Sequence, residues 1–310
     1  MVFADLKNDF VFRRIFAKHP DILRGLLNDL LDRRGDRAID AIEYLPSEQL
    51  PLVAGAKLSI LDVRCRDRSG TTFVVEMQLL HVAGFVNRVV YNACKAYADQ
   101  LKAGEPYTKL TDVVAISICD FVLWPDAEQD SAGRPRIPML SRWSMTERAS
   151  GNDGLLQVQY AFLELPKLPS RRPETAGADL WAWLFVHAPE LTEVPADLPP
   201  GAYREAVELA NQATFSPAEL DAYRKVMDEI QQAREYGEAK WAEGRSEGVA
   251  LGKATAILAI LAARQIEVSA EVRAKIEACN DAATLDGWIA RALTAASAEE
   301  LVTPAFVKRS

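Results

Sequence analysis

"LDVRCRDRSGTTFVVEMQ", residues 61–78, decides the fold. Two apolar runs flank "DRSG", which has Asp67 first, Gly70 fourth and no β-branched residue between them. That pattern suits a type I turn followed by a left-handed glycine, the three-residue hairpin loop with a bulge. In this register Asp67 faces Thr71 and Asp62 faces Glu76. Side chains opposed on one face of a sheet have Cβ atoms about 5 Å apart. Two carboxylates at that spacing repel, and burial among Leu61, Val63, Phe73, Val74 and Val75 pushes their pKa values up. Three arrangements relieve the conflict. A divalent cation between the acids is one, since Mg²⁺ takes one or two carboxylates with water and phosphate. An ion cluster with Arg64 or Lys57 is the second. A turn shifted by one residue, which puts the acids on opposite faces, is the third.

The surrounding elements follow from periodicity. "DLKNDFVFRRIFAKHP" (5–20) and "PDILRGLLNDLLDRRGD" (20–36) are helical, the second with Pro at its first turn and Gly35 as its stop. "AIDAIEYL" (38–45) is a short strand, and the hairpin spans roughly 57–80. Residues 85–103 make a long helix stopped by Gly104, and "TDVVAISICDFVLW" (111–124) is a buried strand. The order α-α-β-β-β-α-β implies a mixed sheet with helices packed on it. More strand follows at 137–145 and 155–165.

Beyond about residue 178 the chain turns helical, and a long helix begins at Ser216 and Pro217. Gly244, Gly248 and Gly252 recur along it every four residues, with Ala256 next. Each glycine costs a helix about 1 kcal/mol relative to alanine. The row marks either close approach of another helix, from a second subunit for instance, or a flexible charged linker. Three regions result: 1–175, a core with a β extension; 176–253, helical; and 254–310, a small helical unit.

Hydrophobic residues make up 49% and charged ones 26% of the 310, enough apolar material for a sizeable core. Four scattered cysteines without C-x-x-C spacing exclude a disulfide framework and a cysteine-based zinc site. His19, His81 and His187 lack ligand spacing, and no glycine-rich phosphate loop is present. The charged N-terminus and the lack of any stretch approaching a membrane span point to the cytoplasm. Net charge is −8, yet residues 1–125 hold 16 of the 36 Lys+Arg and 16 of the 44 Asp+Glu, so this half is balanced. It can therefore carry a local basic groove.

Asp62 followed by Glu76-Met77-Gln78 resembles the signature of PD-(D/E)XK nucleases. The transposase-like, recombination-promoting branch of that superfamily is similar to this chain through "KNDFVFRRIF", "LLNDLL", "KLSILDVRCRDRSGTTFVVEMQ", "NRVVYNACKAYADQLKAGEPYTKL" and "VVAISICDF". "FLELPKL" and "EGRSEGVALGK" extend the likeness more weakly. The resemblance implies an α/β, restriction-endonuclease-like core, a mixed sheet flanked by helices, with a helical C-terminal extension. It also implies Mg²⁺- or Mn²⁺-dependent cleavage of DNA. Asp62 and Glu76 would be metal ligands, the Met77 backbone carbonyl a further one, and Asp9 an outer ligand at most. Gln78 stands where the superfamily has lysine; an amide brings neither a base nor a positive charge.

Arg88, Tyr91 and Lys95 share one face of the following helix, as DNA-phosphate contacts, as supports of the metal site, or as a solvated surface. Arg13 and Arg14 carry the same ambiguity. Trp181 and Trp183 fit a core better than a base stack. Two functions follow: a Mg²⁺-dependent DNA endonuclease that self-associates through its C-terminal helices, or a nuclease-derived interaction protein that no longer cuts.

Overall fold

The structure, a computed structural model, describes residues 1–49, 59–60, 62–125, 137–173 and 175–303. Lys57 and Leu61, named above, lie outside the described residues. The elements run α1 (Asp9–Phe16), α2 (Pro20–Leu30), β1 (Ile42–Tyr44), β2 (Glu48–Gln49), β3 (Ser59–Ile60), β4 (Val63–Asp67), β5 (Thr72–Gln78), α3 (Phe85–Ala98) and β6 (Val113–Cys119). Then follow β7 (Leu140–Thr146), β8 (Asp153–Glu164), α4 (Ala178–His187), α5 (Ala202–Leu209), α6 (Pro217–Ala263), α7 (Ala270–Glu277), α8 (Ala282–Ala292) and α9 (Ala298–Val302). Two helices end before their expected glycine stops: α2 closes at Leu30 and α3 at Ala98, so Gly35, which opens a short 3-10 helix, and Gly104 lie beyond them.

Six strands form one mixed sheet in the order β1-β4-β5-β6-β8-β7, with β5, β6 and β8 parallel and the outer pairings antiparallel. The hairpin has the expected register. Val63 pairs with Val75 and Arg66 with Thr72, so one step beyond the ladder Asp62 stands across from Glu76. The shifted-turn alternative is thereby excluded. The Asp67 amide donates to the Thr71 carbonyl at 3.1 Å, and Gly70 takes φ +91°.

Both faces of the sheet are covered, which is why β5 and β6 are near-continuous apolar runs. One face carries Val63, Phe73, Val75, Ile116 and Leu163 under α1, α2, α4 and α5. Val11, Phe12, Ile15 and Phe16 of α1 are all fully buried there, each stabilising by roughly 1.5–3 kcal/mol. Trp181 of α4 is fully buried too, its ring 4.6 Å from that of Tyr203. The other face carries Val74, Ala115 and Phe162 under Phe85, Val89, Ala93 and Ala96 of α3.

The compact units are Met1–Ile230 and Gln231–Ser310. Helices α4 and α5 belong to the first because their apolar side chains complete the α1–α2 face. In the second, Ala250, Ala254, Ile257 and Leu261 of α6 pack with Val272, Ile276, Leu285 and Leu301. One sequence expectation needs correction: α6 is long enough, and apolar enough over one stretch, to cross a membrane by composition. Its buried apolar residues are spent on the core shared with α7, α8 and α9.

The hairpin turn has no room for a side chain at its glycine. A Cβ on Gly70 would lie 2.8 Å from Thr111 Cγ2, in a backbone conformation that L-residues resist. Gly70→Ala is expected to lower stability by roughly 1–3 kcal/mol, measured as a drop in urea midpoint at unchanged slope.

Candidate active site

Three elements bring the acids together. Asn8 caps α1, its Oδ1 accepting from the amides of Phe10 (3.0 Å) and Val11 (3.3 Å), which fixes Asp9 and Arg13 on the first turns. Lys7 pairs with Asp120 at 3.3 Å, and the Asp120 amide donates to the Gln78 carbonyl at 2.9 Å. The start of α1 is thus tied to the ends of β5 and β6. Asp62 leaves the β4 ladder, and its Oδ2 accepts from the Met77 amide at 2.8 Å in place of a backbone carbonyl. Its Oδ1 takes Nη2 of Arg13 at 2.8 Å.

Glu76 lies on the α3 face of the sheet, 8% exposed, and its Oε1 accepts from Asn92 Nδ2 at 2.8 Å. Beside it, Arg88 donates to Gln78 Oε1, while Gln78 Nε2 donates to the Leu80 carbonyl at 3.0 Å. Arg88, Asn92, Lys95 and Asp99 thus form one polar row along α3. Lys95 is spent on Asp99 at 3.1 Å, its side chain only 9% exposed, whereas Tyr91 is solvent-facing. Arg64, expected as a partner of the acids, makes no ion pair with Asp62 or Glu76 among the described residues; burial lowers its pKa, and the nearby Asp99 opposes this. The guanidinium that does meet an acid is Arg13.

A comparison within the chain shows what is unusual about Glu76. Glu164, at the end of β8, is buried deeper still, but it holds the Lys167 ammonium at 2.9 Å and two backbone amides, Leu123 at 2.7 Å and Trp124 at 3.1 Å. That is a structural acid, its charge fully offset. On Glu76 the direct hydrogen-bond donor is a neutral amide. Burial raises its pKa, the Asn92 bond and then the Arg88 charge oppose this, and Asp62 adds repulsion. Asp9 is raised too, by burial first and then by Asp62, with Arg13 opposing. Asp62 therefore couples electrostatically to both other acids.

Among the described residues, no group of three or more His, Cys, Asp and Glu side chains is gathered closely enough to hold a metal. The donor set nevertheless fits a hard cation. Two carboxylates at opposed positions of the hairpin, one of them buried and bonded among the described residues to a neutral amide, match what Mg²⁺ requires from protein. Asp62, Glu76 and the Met77 carbonyl would hold it, and Arg13 occupies the Asp62 side of that position here. Asn92 is the participant that periodicity missed. Its signal was a polar residue buried at i+4 from Arg88, on the face of α3 that also carries Val89, Ala93 and Ala96.

A family model described as PD-(D/E)XK nuclease family transposase matches residues 6–236. PD-(D/E)XK nucleases generally use divalent metals, and a nuclease family implies DNA binding. Neither the curated proteins nor the solved structures gave a match.

The raised pKa of Glu76 has a definite pH signature. The unfolded chain releases this proton near the ordinary 4.5, while the folded protein retains it to higher pH. Folding stability from this group is therefore lost as pH rises from about 4.5 through the folded value. Glu76→Gln keeps the acceptor for Asn92 and removes the charge. In urea unfolding it is expected to match wild type near pH 4 and to exceed it at pH 7.5. Equal destabilisation at both would show that the acid is structural.

Proposed function

Since the chain belongs to the PD-(D/E)XK nuclease family transposases, we propose that it is a divalent-cation-dependent DNA endonuclease that hydrolyses phosphodiester bonds. The observation that carries this reading is buried Glu76 standing across the β4–β5 hairpin from Asp62, with a neutral amide, among the described residues, as its hydrogen-bond donor. When bound, Mg²⁺ or Mn²⁺ supplies Lewis acidity, activating water and offsetting charge that develops on the phosphate. The chain's own residues do the rest. Asp62 and Glu76 present charge to the cation, and Asn92 orients Glu76 from behind.

Gln78 brings no charge itself, but it holds Arg88 at the place where the superfamily has lysine. A guanidinium has five N–H donors, so Arg88 keeps several for a phosphate oxygen beyond its bond to Gln78. In this reading the Gln78–Arg88 pair does the electrostatic work of the lysine. Proton removal from water falls to solvent or to the substrate.

The second reading, an interaction protein working through α6, has its own observation. A Cβ at Gly237, Gly244, Gly248 or Gly252 would meet nothing within 4 Å, and Tyr236 and Trp241 are about two-thirds exposed. In the proposed picture this stretch seats a second copy of the chain, so the protein is an oligomer in the cytoplasm whether or not it cuts.

A plasmid-nicking assay separates the two readings. Wild type is expected to nick with Mg²⁺ or Mn²⁺ and not in EDTA. Asp62→Ala should lose at least about 100-fold, and Asn92→Ala and Arg88→Ala roughly 10- to 100-fold each. Equal nicking by wild type and Asp62→Ala would end the endonuclease reading.

A further inference from the structure

A groove of about 490 Å³ opens beside Asp9, between α1 and the first turns of α6, within the first compact unit. Half-buried Phe10 and Val226 line it, with Arg13, Lys18 and Lys225 among its four cations against two acids, Asp9 and Glu229. Lys18 makes no ion pair among the described residues, and Lys225 lies 4.0 Å from Glu229 with both side chains in solvent. Such an exposed pair holds its cation weakly. The larger cleft beside β4 differs. There Arg66 lies 3.0 Å from Glu43 and Lys109 2.9 Å from Glu105, closer contacts than the 4.0 Å of Lys225 to Glu229.

Arg13 belongs to both the groove and the acid site. Its Nη2 (2.8 Å) and Nε (3.3 Å) converge on the single oxygen Asp62 Oδ1, and its side chain is 48% exposed. This is not the two-oxygen fork that a guanidinium makes best with a phosphate. While Arg13 sits there, it also repels any cation approaching Asp62.

Resting on the nuclease reading above, we infer that this groove binds the phosphate backbone of the nucleic acid, and that Arg13 exchanges between Asp62 and a backbone phosphate. A filled groove draws Arg13 away and exposes Asp62; an empty one masks it. Nucleic-acid binding and cation binding then favour each other, and linkage makes the effect reciprocal.

The test needs no turnover. Mn²⁺ affinity of the full chain is measured by calorimetry without DNA, and binding of a short fluorescent duplex by anisotropy in EDTA over a range of salt. Arg13→Gln is expected to bind Mn²⁺ about two- to fivefold tighter than wild type, the worth of a partly exposed ion pair. Arg13→Lys, which keeps the charge, should stay near wild type. Lys18→Gln/Lys225→Gln should keep wild-type Mn²⁺ affinity but bind the duplex more weakly, its salt slope shallower by about 2. Unchanged Mn²⁺ affinity in Arg13→Gln, or an unchanged salt slope in the double variant, overturns the inference and leaves the nuclease reading standing. Wild type that binds neither Mn²⁺ nor duplex overturns both.

Discussion

The arrangement depends on one constraint: a buried carboxylate, held in a central strand, that has no direct cationic partner among the described residues. Glu76 is 8% exposed between β4 and β6, under α3. Folding a charge into that position costs stability unless something compensates, and here a single neutral amide does so in part. The cost is local and the remainder of the core bears it. Fully buried apolar side chains on α1, α2, α4 and α5 pack the opposite face of the same sheet. Glu164 shows that this chain can neutralise a deep acid completely when its role is structural.

The acid pair was legible in the sequence because a hairpin has few degrees of freedom. "DRSG" fixes the turn, and the turn fixes the register that sets Asp62 across from Glu76; the strand period would also put both on one face, but Asp62 lies beyond the ladder and turns to Arg13 of α1. The mixed sheet was legible for a similar reason, since local periodicity identifies each strand and helix. What sets the charge state of the site was not. Arg13 is 49 residues from Asp62 in the chain and reaches it only because α1 packs across the sheet. Arg64 is closer in sequence and was the natural candidate, yet among the described residues it makes no ion pair with either acid, and burial lowers its pKa. Lys95 looked like a phosphate contact from its helical spacing, but the same spacing gives it Asp99 one turn on.

A missing lysine in the signature need not remove positive charge from the site. Gln78 is held at both ends of its amide, by Leu80 on one side and Arg88 on the other, so it acts as a bracket for a guanidinium. The overall acidity of the chain is a separate matter, since the N-terminal 125 residues are balanced and the excess of acid lies beyond them. Net charge governs solubility and long-range repulsion; the cations that matter for a polyanion are those few without a committed partner.

Anomalous scattering from a crystal soaked in Mn²⁺ tests the central claim most directly. The account predicts one strong peak between Asp62 and Glu76, within about 2.0–2.3 Å of a carboxylate oxygen of each, with Arg13 turned off Asp62. A map with no peak there, Arg13 still on Asp62 and Glu76 still bonded to Asn92 alone would contradict it.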